Sequence, residues 1–217
     1  MAPRIALIHA TEVAVPPIRA ALERSWPEAE TGNLLDDSLS PDLAAAGAIT
    51  DAITERIIAL ARYAASTGAD AILFTCSAFG PAIERAAAVV SVPVLKPNEA
   101  MFEAAIAAGR RSLMIATFAP SKPSMEAEFR EEVERRRSDA RLTTILVEPA
   151  MAALRTGDGE RHDRLIAEEA RGQRGYDAIM LAHFSTSRAA DAVRAVTDKP
   201  VLTAPDAAVE KLKRFFL

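Results

Sequence analysis

The stretch GADAILFTCSAFG, Gly68–Gly80, carries the only cysteine of the chain. It opens on a glycine and continues as a run of apolar strand formers, a pattern typical of a strand buried on both faces of a parallel sheet. Cys76 follows that run directly. A second stretch, GYDAIMLAHFSTS (Gly175–Ser187), repeats the pattern with His183 at the position of the cysteine. The two stretches predict equivalent strands that end in two different reactive side chains.

The likeness between these stretches extends along the chain at one spacing. Gly175 lies 107 positions after Gly68, and His183 lies 107 positions after Cys76. A period this long indicates duplicated lobes, because solenoid repeats are about 20 to 50 residues long. We predict two pseudo-symmetric lobes, the first formed by residues 1–96 plus 206–217 and the second by residues 97–205. Two more segments keep the same spacing: Pro93-Val94-Leu95 with Pro200-Val201-Leu202, and Arg4 with Arg111.

Short apolar runs alternate with helical patterns through both halves of the chain. Most of these runs are continuous, as expected where helices cover both faces of a parallel sheet. We therefore predict an α/β fold in which each lobe is a four-stranded, mainly parallel sheet flanked by helices. The predicted strands are Ile5–Ile8, Thr31–Leu35, Ala71–Thr75, Val92–Leu95, Leu113–Ala116, Thr144–Val147, Ala178–Ala182 and Val201–Thr203.

The composition excludes several classes of function. A net charge of −4 over 217 residues gives no electrostatic footprint for nucleic acid. The sequence has no apolar run long enough to span a membrane, and MAPRIALIHA lacks the apolar region of a signal peptide. A single cysteine predicts a reducing, cytoplasmic location and no metal site of the paired-cysteine type. Since neither a phosphate loop nor a GxGxxG fingerprint occurs, a nucleotide cofactor is not expected.

The residues that follow the predicted strands form the candidate site. In open parallel sheets, ligands bind at the carboxyl ends of the strands, so we expect the active site in a cleft between the lobes. Small hydroxyl side chains and loop amides dominate these strand ends and suit a carboxylate ligand. No arginine follows a strand directly, so a guanidinium clamp is not predicted there. The predicted catalytic residues are Cys76 and His183, and the predicted substrate-binding residues are His9, Thr11, Ser77, Ala78, Thr117, Ser121, Phe184 and Ser185.

Each of these candidates has a structural alternative. Cys76 is either a small buried hydrophobe or a reactive thiol whose pKa the N-terminus of the following helix would lower. His183 is either a hydrogen-bonded core residue or an acid and base on the other side of the ligand. His162, among charged neighbours, is predicted to lie on the solvated surface. The acidic pair Asp36-Asp37 either contacts the substrate or belongs to a turn or helix cap.

Four sequence motifs resemble those of a known family: FTCSAFG, MLAHFSTS, NLLDDSLS and VLKPNEAMF. Over essentially its whole length, the chain resembles the aspartate/glutamate racemase superfamily, which includes hydantoin racemases, maleate isomerases and arylmalonate decarboxylases. The resemblance implies catalysis without pyridoxal phosphate or another cofactor, by two cysteines on facing lobes, and it suggests a dimer. Cys76 matches the first of those cysteines, and His183 stands where the second is expected. The Asn-Thr pair that usually follows the first cysteine is Ser77-Ala78 here.

These observations predict a cofactor-independent racemase or epimerase of a small carboxylate-bearing compound, such as an amino acid or a derivative. Cys76 and His183 would exchange a proton with opposite faces of the reacting carbon. An alternative within enzymes is cis-trans isomerisation or related chemistry with Cys76 as nucleophile. An alternative outside enzymes is a non-catalytic protein that binds a small acid.

Overall fold

The computed structural model describes residues 2–217, and the contacts between residues divide the chain into two compact units. The first unit comprises Met1–Pro97 with Ala208–Leu217, and the second comprises Asn98–Ala207. Each unit contains one four-stranded parallel sheet and its flanking helices. Among the described residues, no helix has the length and apolar character needed to cross a bilayer.

The sheet of the first unit has the strand order β2-β1-β3-β4, and every neighbouring pair is parallel. Its third strand follows from the apolar run AILF, whose four residues are at most 3% exposed because both faces of the strand are covered. The strands are β1 (Arg4–His9), β2 (Glu30–Leu35), β3 (Ala71–Phe74) and β4 (Val94–Leu95). The helices are α1 (Val15–Ser25), α2 (Leu39–Ala46), α3 (Asp51–Ser66) and α4 (Gly80–Ala87).

The sheet of the second unit repeats this arrangement with the order β6-β5-β7-β8, again parallel throughout. The chain returns to the first unit within the last helix, α10. The strands are β5 (Arg111–Ala116), β6 (Arg141–Leu146), β7 (Ala178–Leu181) and β8 (Val201–Thr203). The helices are α5 (Glu99–Ala108), α6 (Lys122–Arg135), α7 (Glu148–Arg155), α8 (Gly159–Arg171), α9 (Ala190–Arg194) and α10 (Ala204–Lys213).

The predicted fold class is confirmed, and the duplication extends to single hydrogen bonds. The backbone N–H of Arg4 donates to the Asp70 carboxylate at 2.7 Å, and that of Arg111 donates to the Asp177 carboxylate at 2.8 Å. Both bonds join residues 66 positions apart, and the second pair follows the first by 107 positions. Equivalent carboxylates therefore hold the start of the central strand in each sheet.

Helix α3 shows how the sequence builds the core of the first unit. The Thr50 hydroxyl caps the helix by accepting a hydrogen bond from the Ile53 N–H at 3.2 Å. Ile53, Ile57 and Ala61 recur every four residues, and this spacing places them on one buried face of the helix. That face packs in the same apolar cluster as Ile72 of β3.

One sequence prediction about α8 is wrong. His162 is fully buried rather than solvated, because it shares the helix face of Ile166 and Ala170 at four-residue spacing. Its Nδ1 lies 2.7 Å from the Asp163 carboxylate, which in turn accepts from the Arg188 guanidinium at 2.9 Å. Of the charged neighbours that suggested exposure, Glu160, Arg161 and Arg164 are exposed, whereas Asp163 is partly buried beside the His162 ring.

Candidate active site

Cys76 lies two residues beyond the carboxyl end of β3, with Thr75 between them. Its backbone is extended, with φ −117° and ψ 120°, and it precedes a short 3-10 turn over Ser77–Phe79. The side chain is partly buried and packs against the apolar core of the first unit. The thiol is therefore placed at the edge of the sheet where ligands of parallel sheets bind.

The environment raises the pKa of the Cys76 thiol, chiefly because burial disfavours the charged thiolate. Hydrogen bonds from the Ala78 N–H and the Ser40 hydroxyl act in the opposite direction and offset part of that effect. The expectation of a more acidic thiol is thus wrong. The residues after Cys76 form a single 3-10 turn, and α4 begins only at Gly80, so the thiol does not cap a regular α-helix.

His9 is the last residue of β1, and it contacts Thr75, the residue before Cys76. Its Nδ1 is 2.8 Å from the Thr75 hydroxyl, and its Nε2 is 2.9 Å from the Asn33 carboxamide oxygen. Since an amide oxygen only accepts, Nε2 carries the proton and the Thr75 hydroxyl donates to Nδ1. Burial lowers the pKa of His9, and its side chain is only 1% exposed. His9 thus joins the ends of neighbouring strands, and its contact with a substrate stays a prediction.

His183 lies two residues beyond the end of β7, as Cys76 does beyond the end of β3. Its φ is +70°, in the left-handed region that few residues other than glycine adopt. Backbone strain of this kind costs on the order of 1–3 kcal/mol and concentrates at functional sites. The two halves of the chain therefore keep the same register but differ in backbone conformation at this position.

The hydrogen bonds of His183 define its neutral form. Its Nε2 lies 2.8 Å from the Ser121 hydroxyl, which donates its own proton to the Phe118 carbonyl at 2.8 Å. The hydroxyl must then accept from Nε2–H, so Nδ1 carries the free lone pair. Burial lowers the pKa of His183 to about 4, because the charged imidazolium loses its hydration. At neutral pH the ring is a proton acceptor.

The remaining predicted substrate-binding residues form an exposed group and a buried group. Thr11, Ser77, Ser121 and Ser185 are partly exposed, and Ala78 is exposed, so these residues can reach a ligand. Two others are buried, as His9 is. The Thr117 hydroxyl, 2% exposed, lies 3.5 Å from the Thr186 hydroxyl, and the Phe184 side chain is 5% exposed. The Thr117 and Phe184 side chains therefore pack within the second unit, and their contacts with a substrate stay predictions.

The sequence analysis did not identify two residues of the first unit. Ser40, in α2, opposes the effect of burial on the pKa of the Cys76 thiol, although 36 positions separate the two residues. Arg56, in α3, binds the Asp36 carboxylate at 2.6 Å. Asp36 therefore belongs to an ion pair, and its carboxylate also accepts from the Ser38 N–H at 3.3 Å, as a turn residue before α2 does. Contact of the acidic pair with a substrate stays a prediction. In the sequence, only the position of the acidic pair just before a helix could have suggested that Asp36 has a basic partner.

Comparison with known proteins identifies the family of the chain. The model of the Asp/Glu/Hydantoin racemase family matches residues 5–172. No curated protein matches the chain significantly.

Several solved structures share the fold. An aspartate racemase homologue from Pyrococcus horikoshii OT3 aligns with a TM-score of 0.71 and 16% identity over 98% of both chains. Allantoin racemase from Klebsiella pneumoniae gives 0.69 and 20%, covering 99% of this chain and 88% of that one. Glutamate racemase from Thermus thermophilus gives 0.67 and 19%, covering 99% and 80%. The chain belongs to the Asp/Glu/Hydantoin racemase family, and its enzyme class is that of an isomerase.

Proposed function

We propose that the protein is a cofactor-independent racemase or epimerase of a small carboxylate-bearing compound, with Cys76 and His183 as its proton donor and acceptor. One observation carries the proposal. At equivalent positions in the two halves, burial keeps the thiol protonated and keeps the imidazole neutral. When the environment raises the pKa of one group and lowers the pKa of the other, the first group is assigned as the acid and the second as the base.

In the proposed reaction, one residue removes a proton from the substrate carbon and the other supplies a proton to the opposite face. Nδ1 of His183 takes the proton from the carbon beside the carboxylate, and the electron pair of that C–H bond passes into the carboxylate as an enediolate. The Cys76 S–H then returns a proton to the opposite face of the carbon. The product is the inverted enantiomer, with imidazolium and thiolate left on the enzyme. The opposite enantiomer reacts through the same steps in reverse and restores the resting state.

The proposed ligands of the carboxylate are the hydroxyls and amides at the strand ends. Thr11, Ser77 and Ser185 are small and partly exposed, and Ala78 adds backbone at the same turn as the thiol. The Ser121 hydroxyl, whose proton goes to the Phe118 carbonyl, would orient His183 instead. Preorganised hydrogen-bond donors stabilise the charge that develops on an enediolate. Amino acids and their derivatives carry the required carboxylate and an acidic α-hydrogen, and they are the substrate class that we propose.

Exchange of the α-hydrogen in D2O tests this proposal. A panel of small carboxylic acids, each as separate enantiomers, is incubated with the enzyme, and deuterium at the α-carbon is measured. Cys76→Ser and His183→Asn should each slow exchange by a factor on the order of 10²–10⁴, with opposite enantiomer bias. His183→Asn keeps the shape of the side chain but removes the basic nitrogen.

Ser66→Ala is a matched control, because Ser66 is an exposed serine at the end of α3 that bonds only the Tyr63 carbonyl. It should leave exchange unchanged for both enantiomers. If His183→Asn also leaves both rates unchanged, His183 is structural and the two-base mechanism fails. A covalent adduct on Cys76, detected by mass spectrometry of the intact protein, would instead support nucleophilic isomerisation.

A further inference from the structure

A cavity of about 170 Å³ lies in the first unit, between the sheet and the last turn of α3. Its lining comes from the first half of β1, from β2 and from the C-terminal end of α3. Because Arg4 begins β1 and His9 ends it, the cavity lies on the order of 15 Å from the strand ends that carry the candidate active site. We call it the α3 pocket, and among the residues that line it are Arg4, Ala6, Gly32, Tyr63, Ala64 and Thr67.

Two small residues leave this space open. Ala6 and Gly32 lie opposite each other in the register of β1 and β2. In the duplicated half, Leu113 lies 107 positions after Ala6 and is paired with Thr143, so larger side chains occupy both places. A Cβ added to Gly32 would meet no described atom within 4 Å. The pocket therefore follows from the sequence of the first unit and not from the fold that both units share.

The walls of the pocket suit a small apolar group. Ala6 and Ala64 are 6% and 1% exposed, and Leu34, also in the lining, is partly buried. A dry apolar cavity of about 150 Å³ is large enough to bind benzene. The Tyr63 side chain, 57% exposed at the same pocket, offers an aromatic face for a second ring. An aryl ring therefore matches both the volume and the lining.

Arg4 adds a positive charge to this lining. Among the described residues, its guanidinium makes one hydrogen bond, from Nη1 to the Thr67 carbonyl at 2.9 Å. The Nε–H and one Nη2–H remain as a parallel pair of donors, the arrangement that binds both oxygens of a carboxylate. The Asp70 carboxylate accepts from the backbone N–H of Arg4 at 2.7 Å. The guanidinium can therefore pair with an anion that enters the pocket.

We propose that the α3 pocket is a second binding site, separate from the candidate active site, for a small aryl carboxylate. The ring lies between Gly32 and the end of α3, and the carboxylate pairs with the Arg4 guanidinium. All of the lining belongs to the first unit, and the site requires neither Cys76 nor His183. The inference goes beyond the proposed function and does not depend on it.

Binding of benzoate, followed by two-dimensional NMR of the backbone amides of the folded protein, tests the inference. The amides of Gly32 and Thr67 should shift saturably, with a dissociation constant on the order of 1 mM for so small a ligand. The amides of Ser77 and Ser185 report on the candidate active site, which also suits a carboxylate, so the two locations are distinguished. Benzyl alcohol keeps the ring without the charge, and acetate keeps the charge without the ring. Each should bind about tenfold more weakly or worse.

Variants separate the two parts of the site. Arg4→Gln should weaken benzoate binding by about tenfold or more, because hydrogen bonds to the carboxylate are lost. Arg62→Gln is the matched control, since Arg62 is exposed in α3 beside Tyr63 but does not line the pocket. It should leave binding unchanged. Gly32→Val fills the pocket and should abolish the shift at Thr67 without loss of thermal stability, because a β-branched residue suits a strand. It also provides the test if Arg4→Gln does not fold.

Three results would overturn the inference. Absence of a saturable shift at Gly32 and Thr67, whether or not Ser77 and Ser185 respond, removes the second site. Benzyl alcohol binding as tightly as benzoate, or binding that is indifferent to Arg4→Gln, removes the carboxylate from the ligand class. Benzoate binding that survives Gly32→Val locates the ligand outside the pocket.

Discussion

At the scale of single residues, burial sets the chemistry of both candidate catalytic groups. An imidazolium and a thiolate each lose hydration when they leave water, and this penalty favours the neutral form of both. His183 is held at a pKa of about 4, and the pKa of Cys76 is raised. The resting enzyme therefore contains one proton acceptor and one proton donor without an ion pair between them.

The neutral state of His183 predicts a pH dependence of stability. Its pKa is 6.5 in the unfolded chain and about 4 in the folded protein, so between these values only the unfolded chain binds the proton. The contribution of neutral His183 to the free energy of unfolding is present above pH 6.5. It falls as the pH decreases, by about 2 kcal/mol at pH 5. His183→Asn should make this slope shallower, leaving the part due to His9, as measured by urea unfolding at several pH values. Ser121→Ala retains the buried ring and should retain the slope. Parallel curves for wild type and His183→Asn would contradict the assignment.

The raised pKa of Cys76 predicts slow alkylation at neutral pH. Wild-type protein should react with iodoacetamide along a titration curve centred above the free-thiol value of about 8.5, because the folded site disfavours the thiolate. Protein unfolded in urea supplies the reference, since its thiol is fully hydrated. A folded midpoint at or below the unfolded one would show that the hydrogen bonds from Ala78 and Ser40 outweigh burial.

At the scale of elements, α8 supports the segment that carries His183. Arg188, five residues after His183, reaches back to Asp163 of α8 with its Nε at 2.9 Å from one carboxylate oxygen. The guanidinium lies so close to Gly159 that a Cβ there would be 2.2 Å from one of its nitrogens. The absence of a side chain at Gly159 therefore allows the ion pair between α8 and the residues after β7.

The two glycines at the ends of α8 predict different effects of alanine. Gly159→Ala should displace the flexible end of Arg188 and break its partly exposed ion pair with Asp163, so its unfolding free energy should fall below that of Gly172→Ala by up to about 1 kcal/mol. Gly172→Ala is the matched control, because its nearest neighbour would be the Glu169 carbonyl at 3.9 Å. It should be neutral or stabilising. Both effects are measured by urea unfolding, and in an Arg188→Ala background the penalty at Gly159 should vanish. A penalty that persists there would locate the strain elsewhere.

At the scale of the whole molecule, the first unit is discontinuous in sequence and depends on the end of the chain. Residues 208–217 belong to it, and Val209 and Leu212 are completely buried. The Phe216 ring lies 5.7 Å from that of Trp26, and the Lys213 ammonium donates to the Ser25 carbonyl at 2.8 Å. The C-terminal segment thus closes the unit that contains Cys76.

Deletion of residues 208–217 should therefore destabilise the first unit selectively. The lost burial is worth on the order of 5 kcal/mol, a large part of the stability of a small domain. Trp26, the only tryptophan, should show red-shifted fluorescence, and amides of β1 and β3 should lose protection from hydrogen exchange before those of β5 and β7. Phe216→Ala is the milder control and should shift the fluorescence alone. Equal loss of protection in both sheets would show that the units unfold together.

The strands were predictable to the extent that they are buried on both faces. AILF and AIML lie entirely in the interior, so their continuous apolar runs mark β3 and β7 in the sequence. Edge strand β6 begins at Arg141, three residues before its predicted start, because its polar first half is exposed and has no apolar run. Strand β4 begins at Val94 rather than Val92, after a proline that has no N–H for a strand ladder.

The sequence by itself determined the duplicated α/β pattern, the equivalence of Cys76 with His183, and membership of the family, because these depend on residue order and spacing. Only the tertiary structure decided which way the two groups titrate. Desolvation is summed over atoms from distant segments, and the hydrogen bond between Ser121 and His183 joins residues 62 positions apart. The tertiary structure also decided that His162 is buried, because packing determines which face of α8 turns towards the core. The physical reason is that burial and titration depend on which residues are close in space, and neighbouring positions in the sequence do not show this.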